Sequence, residues 1–287
     1  MPRFNIPNSR FSSPALSLGT RWTLVGGKGG VGKTTTAAAL AVELARSGRP
    51  VLVVSVDPAH SLGDALGLAL GDEPGAVPGV PGLRALEVDA ERERARFLAS
   101  NRASLASLLE RGTFLDASDV AEATELAVPG LDELAALFRL LDLLREDDAY
   151  LVVDTAPTGH ALRLLDLPRL AAGWLGALRA MEEKHRAVAL ALAGEYRADA
   201  AADFLAATAA ELSDAERLLA DPVRTRLLLV TTPEPGVLAE TRRFEAALTG
   251  RGIALAGIVV NRCEAKATER AQPAKNRAAP GEGAAAV

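Results

Sequence analysis

The stretch GGKGGVGKTTT, Gly26 to Thr36, decides how this chain is read. Gly27, Gly32, Lys33 and Thr34 keep the spacing G-x-x-x-x-G-K-[ST], in which glycines let successive backbone N–H groups turn toward a phosphate. The run before it, RWTLVGG, is short, apolar and ends in glycine, as a buried strand does. The run after it, KTTTAAALAVELARSG, has the length and alanine content of a helix, whose start adds partial positive charge to the loop. In that context Lys33 is placed to reach β- and γ-phosphates and Thr34 to ligate Mg2+. A second lysine, Lys28, is not required by the spacing; taken alone it also reads as a solvated charge.

Outward from the loop, Gly48 and Pro50 stop the helix, and PVLVVSVD is a nearly unbroken β-branched run of the kind buried on both faces in a parallel sheet. AYLVVDTAP, RTRLLLVTTPEP and IALAGIVVNR read as further strands, with LAETRRFEAALTGRG as a crossover helix between the last two. GDEPGAVPGVPG reads as a surface loop before a short strand at LRALEVD. Two segments are helical instead. From Glu91 to Arg145, Phe97, Leu105, Leu108 and Leu109 share one face and LDELAALFRLLDLL is apolar on most sides; from Trp174 to about Ala220, Leu205, Leu212 and Leu219 recur at heptad spacing. The expected fold is α/β, a doubly wound, mostly parallel sheet with a helical insertion subdomain. Residues 1–20 and the low-complexity tail 264–287 are expected to be disordered, and 21–263 to form one domain with helical insertions at about 91–145 and 168–220.

With 49% hydrophobic and 24% charged residues and a formal net charge of -5, the chain of 287 residues is no polycation built to coat nucleic acid, and no nucleic-acid partner is expected. Cys263 is the only cysteine, so neither an internal disulfide nor a zinc ribbon can form. No signal peptide or membrane span is legible, which points to the cytoplasm.

Two acidic strand ends carry the remaining chemistry. Asp57, in VDPAHSLGDALG, stands at the carboxyl end of a parallel strand, where a water attacking a γ-phosphate has to be oriented. Asp57 followed by Pro58 is also a good helix start, so capping remains an alternative. Asp154, in DTAPTGHALRLLDLP, is placed to bind Mg2+ through water; its alternative is a strand-end cap. Pro157 and Gly159 suit a mobile loop that rearranges when a γ-phosphate leaves. His60 and His160 fall in these two loops, and neither is assigned as an acid or base.

Together, GGKGGVGKTT, DPAHSLGDALG, AVPGLDEL, DTAPTGHALRLLDLP and IVVNR, in this order between about Trp22 and Arg262, resemble the ArsA family of deviant phosphate-loop ATPases. That family includes the arsenite-pump ATPase and the ATPase that delivers tail-anchored membrane proteins; DPAH with DTAPTGH separates the chain from the MinD and ParA relatives. The resemblance implies ATP and Mg2+, hydrolysis by a homodimer, and a membrane-protein client or a membrane transporter subunit as partner. Residue by residue it implies that Lys28 reaches the partner subunit's nucleotide, while Gly27, Gly29, Gly30, Val31, Gly32, Lys33, Thr34 and Thr35 cradle phosphates. Thr34, Asp57 and Asp154 would serve Mg2+, and Asp57 would position water. Pro58, His60 and Asp64 would belong to the first switch, and Thr155, Pro157, Gly159 and His160 to the second. Asn261 matches the family's adenine-contacting asparagine, with a simple turn residue as the alternative.

The chain departs from the family in four ways. It has one half where the arsenite pump has two fused halves, which implies a homodimer. Cys263 alone cannot supply the several soft thiolates that metalloid activation uses, nor the cysteine pair that holds zinc in the eukaryotic targeting ATPase, so no zinc is expected. Two methionines make a poor match to that enzyme's methionine-rich client groove. After Cys263 the sequence lacks the helix, strand and proline loop that cover adenine. Two other readings therefore stay open, a nucleotide-gated carrier of apolar helices and a nucleotide-binding protein that does not hydrolyse.

Overall fold

The computed structural model describes residues 20–59, 61–112, 131–146, 148–156 and 158–263. The elements follow in the order β1 (Trp22–Gly27), α1 (Lys33–Arg46), β2 (Val51–Ser55), α2 (Leu62–Leu66), β3 (Gly75–Ala76), β4 (Leu83–Glu87) and α3 (Ala90–Gly112). Then come α4 (Leu131–Glu146), β5 (Tyr150–Asp154), α5 (Thr158–Ala193), α6 (Ala200–Ala220), β6 (Thr225–Thr231), α7 (Pro235–Thr249) and β7 (Leu255–Val260).

The seven strands form one sheet in the order β3-β4-β2-β5-β1-β6-β7. Every pair is parallel except β3 with β4. Successive side chains of a strand point to opposite faces, and this alternation divides the core. Trp22, Leu24, Leu52, Val54, Leu151, Val153, Leu227 and Leu229 point to the helical layer of α3 to α6, joined by Phe244 and Leu248 of α7. Val25, Val51, Val53, Val152, Leu228 and Val230 point the other way, against α1 and α2. Register then fixes the site: Asp154 stands beside Val25 of β1 on one side and Ser55 of β2 on the other, level with the end of the sheet from which the glycine loop departs.

The structure corrects the sequence reading in three places. The second helical segment was expected from Trp174 as one stretch, but α5 begins at Thr158, runs through Pro168 and stops before Gly194, and α6 starts afresh at Ala200. Proline removes a backbone donor and disfavours a helix interior, but Leu165, Leu167, Ala171, Leu175 and Leu178 are buried along α5, and their packing carries the helix past it. The break has its own chemistry, because Gly194 adopts φ 73 and Asp199 caps α6 by accepting from the amides of Ala201 and Ala202. Gly159 and His160, expected in a mobile loop, lie in the first turn of α5. The loop GDEPGAVPGVPG contains the two-residue strand β3, secured by the buried Val77 and Val80 just after it.

Thr20, expected in the disordered leader, is buried against the domain. The rest of the expected leader and the tail 264–287 lie outside the described residues, as does the AVPG part of AVPGLDEL.

Candidate active site

The glycine loop is held by close backbone approach. Gly27 has φ 151, and a Cβ there would come within 2.2 Å of the Val230 carbonyl oxygen of β6. Gly32 has φ 95, and its Cβ would lie 2.4 Å from Asn261 Nδ2. Only glycine meets both demands. Asn261, at the end of β7, donates from Nδ2 to the Val31 carbonyl at 2.9 Å and from its backbone to Thr231 at 2.7 Å, which ties the loop to β6 and β7. Helix α1 then starts at Lys33, with the Thr36 amide and hydroxyl both donating to the Gly32 carbonyl, and its N-terminus faces the loop.

Beneath the loop lies the acidic end of β5. Asp154 is fully buried. Its Oδ2 accepts a long bond from Ser55 Oγ at 3.4 Å, and its Oδ1 is buried with no hydrogen-bond partner. Burial raises its pKa to about 6, against the lowering influence of Thr34, Lys33 and Ser55. The Thr34 hydroxyl approaches Asp154, but the well-formed bond it makes is with Ser61 Oγ at 3.0 Å, so Oδ1 stays unsatisfied. Lys33 is buried too, and desolvation lowers its pKa while the charges of Asp154 and Asp57 raise it. An unpartnered buried carboxylate oxygen beside an ammonium and a hydroxyl fits a hydrated divalent cation. Among the described residues no group of three or more His, Cys, Asp or Glu could hold a metal ion.

The residues expected to form the two switches are only partly gathered here. Asp57 accepts from the Ala59 amide at 3.0 Å and so closes a turn, not a helix; α2 begins at Leu62 after Ser61. Pro58 is exposed next to it, and Asp64 is exposed on α2. Thr155 is buried and donates from Oγ1 to the Val25 carbonyl at 2.8 Å, anchoring the exit of β5 to β1. Thr35 is exposed at the loop mouth. His60 and Pro157 lie outside the described residues. Lys28 is not among the inner cluster, because its Nζ forms an ion pair at 3.2 Å with Glu240 of α7.

A family model described as an anion-transporting ATPase matches residues 20–278. The chain belongs to the ArsA ATPase family. Among its relatives, the "ATPase GET3B" of Arabidopsis thaliana is 31% identical over 277 residues, which cover 88% of this chain and 66% of that protein. The "ATPase ARSA1" of Chlamydomonas reinhardtii is 34% identical over 276 residues, 87% of this chain and 36% of that protein. The "ATPase get3" of Schizosaccharomyces japonicus is 31% identical over 250 residues, 84% of this chain and 74% of that protein. The chain thus spans less than two thirds of the length of the first two. Membership accounts for the mostly parallel sheet and places the chain in a family of ATPases.

Four polar groups of the site are not among the residues that the sequence motifs single out. Ser55 and Ser61 contact Asp154 and Thr34, Glu87 accepts from the Gly63 amide at 2.9 Å to steady α2, and Glu240 holds Lys28. Ser61 and Asp64 stand in the same quoted motif, so the motif carried a signal for the first; the other three depend on contacts between distant segments. Among the described residues no helix is long and apolar enough to cross a membrane.

Proposed function

We propose that this chain binds MgATP at the carboxyl ends of β1, β2 and β5 and hydrolyses it when two copies close face to face. The buried Asp154, with Oδ1 unpartnered beside Lys33 and Thr34, is the observation that supports this reading most directly. Backbone amides of Gly29 to Thr35 and the start of α1 cradle the phosphates, and Lys33 neutralises them. Thr34, with Asp57 and Asp154 through water, would hold Mg2+, which offsets charge on the phosphates. Asp57 orients the attacking water, Asn261 stands at the edge where adenine is expected, and Lys28 of each copy brings positive charge to the other copy's transferring phosphoryl group. Turnover per subunit then rises with protein concentration and saturates, and Lys28→Ala removes most of it at saturating MgATP. A specific activity that is constant over a wide dilution range, or unchanged by Lys28→Ala, overturns the dimer-dependent step. Nucleotide binding without turnover at any concentration would favour a switch that does not hydrolyse.

A second reading draws on α5, where Leu170 and Leu192 are 61% and 84% exposed and Val188 and Leu190 are also exposed. Exposed apolar side chains toward the C-terminal end of this helix are what a nucleotide-gated carrier of apolar helices, such as a membrane-protein client, would use. The family description suits a membrane transporter subunit equally well. Binding of an environment-sensitive dye that changes with nucleotide state, and falls on Leu192→Ser, would favour the carrier.

A further inference from the structure

The two lysines of the glycine loop have opposite surroundings. Lys33 is buried and faces the carboxylates of Asp154 and Asp57. Lys28 is 45% exposed at its side chain and pairs at 3.2 Å with Glu240, whose side chain is 30% exposed. Glu240 lies in α7, which follows β6, the strand beside β1, so neighbouring strands bring residues far apart in sequence to one edge of the loop. A second carboxylate, Glu234 at the N-cap of α7, feels the Lys28 charge as well. The ammonium therefore rests against a carboxylate in the second turn of its own subunit's α7, with the N-cap carboxylate of that helix nearby.

We infer that Glu240 is a positioning residue that holds Lys28 on its own subunit until a second copy brings a nucleotide within reach. This rests on the proposal that Lys28 acts in trans. An exposed ion pair is weak, so the bond orients the lysine without trapping it. Phosphate oxygens carry more negative charge than one carboxylate, and in a closed, water-poor interface their attraction exceeds that of the half-exposed Glu240. Closure exchanges one partner for the other, and the exchange raises the protein concentration at which dimers form. Glu240 thereby keeps isolated subunits from committing their lysine.

The test compares the full chain with Glu240→Gln, Glu240→Asp, Lys28→Ala and the Lys28→Ala/Glu240→Gln pair. Dimerisation in MgATP is followed by sedimentation, which needs no turnover, and ATPase is followed against protein concentration. Glu240→Gln is expected to lower the half-saturating concentration two- to five-fold, with the difference shrinking in high salt as the pair is screened. Glu240→Asp, which keeps the charge, restores much of the wild-type value. In the Lys28→Ala background the same change has no effect. Glu245→Gln, on the same helix, controls for net charge. The inference is overturned if Glu240→Gln leaves the midpoint unmoved or raises it, if the control matches it, or if it acts equally without Lys28. If instead Lys28→Ala leaves both turnover and dimerisation unchanged, the trans role itself has failed, and the Glu240 inference with it.

Discussion

The hydroxyl oxygens of Thr34 and Ser61 lie 3.0 Å apart and join the start of α1, just after the glycine loop, to the segment that leads into α2. A typical hydrogen bond contributes about 1 kcal/mol net, roughly a five-fold change in a local opening equilibrium. Ser61→Ala should therefore speed amide exchange of Leu62 to Ala65 by about that factor in the free protein. With MgATP the two proteins should converge, because Thr34 then spends its hydroxyl on the metal. A difference that persists unchanged with MgATP would show that Thr34 does not take that role.

Asp154 makes the clearest pH prediction. Burial raises its pKa from 3.8 to about 6, so the folded chain retains a proton that the unfolded chain releases. Below the unfolded value no penalty exists; it grows as pH rises through this window and is complete above the folded value, at about 3 kcal/mol or less. In EDTA, Asp154→Asn should therefore be more stable than wild type at neutral pH and equal to it near the unfolded pKa. Its MgATP turnover should fall by about a hundred-fold or more, as when a charge-stabilising group is lost. Thermal melts across pH decide the first point, and a variant that is less stable at neutral pH refutes it.

Strands and motifs were legible for a physical reason. VLVVS and YLVVD are buried on both faces apart from the half-buried Tyr150, so consecutive positions, and not only alternate ones, are apolar up to the terminal Ser55 and Asp154. The course of α5 was not legible, since Pro168 signals a stop and only the tertiary burial of residues such as Leu167 and Leu175 overrides it. β3 is two residues long and owes its existence to pairing with β4, which leaves no periodic trace. Loop glycines announce themselves by spacing, whereas Ser55 acquires meaning only when the parallel register sets it beside Asp154, and Glu240 only when the packing of α7 brings it to Lys28.

Gly32 and Asn261 should be energetically coupled. Gly32→Ala forces a side chain into φ 95 and drives Cβ against Asn261 Nδ2, which must then release the Val31 carbonyl. Strain at such a backbone costs on the order of 1–3 kcal/mol, and the clash adds to it. Removing the amide in Asn261→Ala relieves the clash but not the strain. The double variant should therefore be about 1 kcal/mol more stable than the two single changes summed. Urea melts of the four proteins measure this directly, and strict additivity would contradict the contact.

Asp199 combines two jobs at the start of α6. Its Oδ1 accepts from the amides of Ala201 and Ala202 at 3.1 and 3.2 Å, and Arg111 donates to both carboxylate oxygens and to Glu182. Glu182 in turn accepts from the Tyr196 hydroxyl at 2.5 Å, so α3, α5 and α6 meet through one guanidinium. The Arg111 hydrogen bond holds the Asp199 carboxyl down at about 2. A depressed pKa contributes stability above the unfolded value of 3.8 that is lost as pH falls toward the folded one. Asp199→Asn keeps a capping oxygen and drops the charge, whereas Asp199→Ala also loses the cap, worth about 1 kcal/mol. At neutral pH the order of stability should be wild type, then Asn, then Ala. On acidification through that window the gap between wild type and Asn should close, while the gap between Asn and Ala stays. A wild-type advantage over Asn that is independent of pH would mean that packing, not the ion pair with Arg111, holds the helices together.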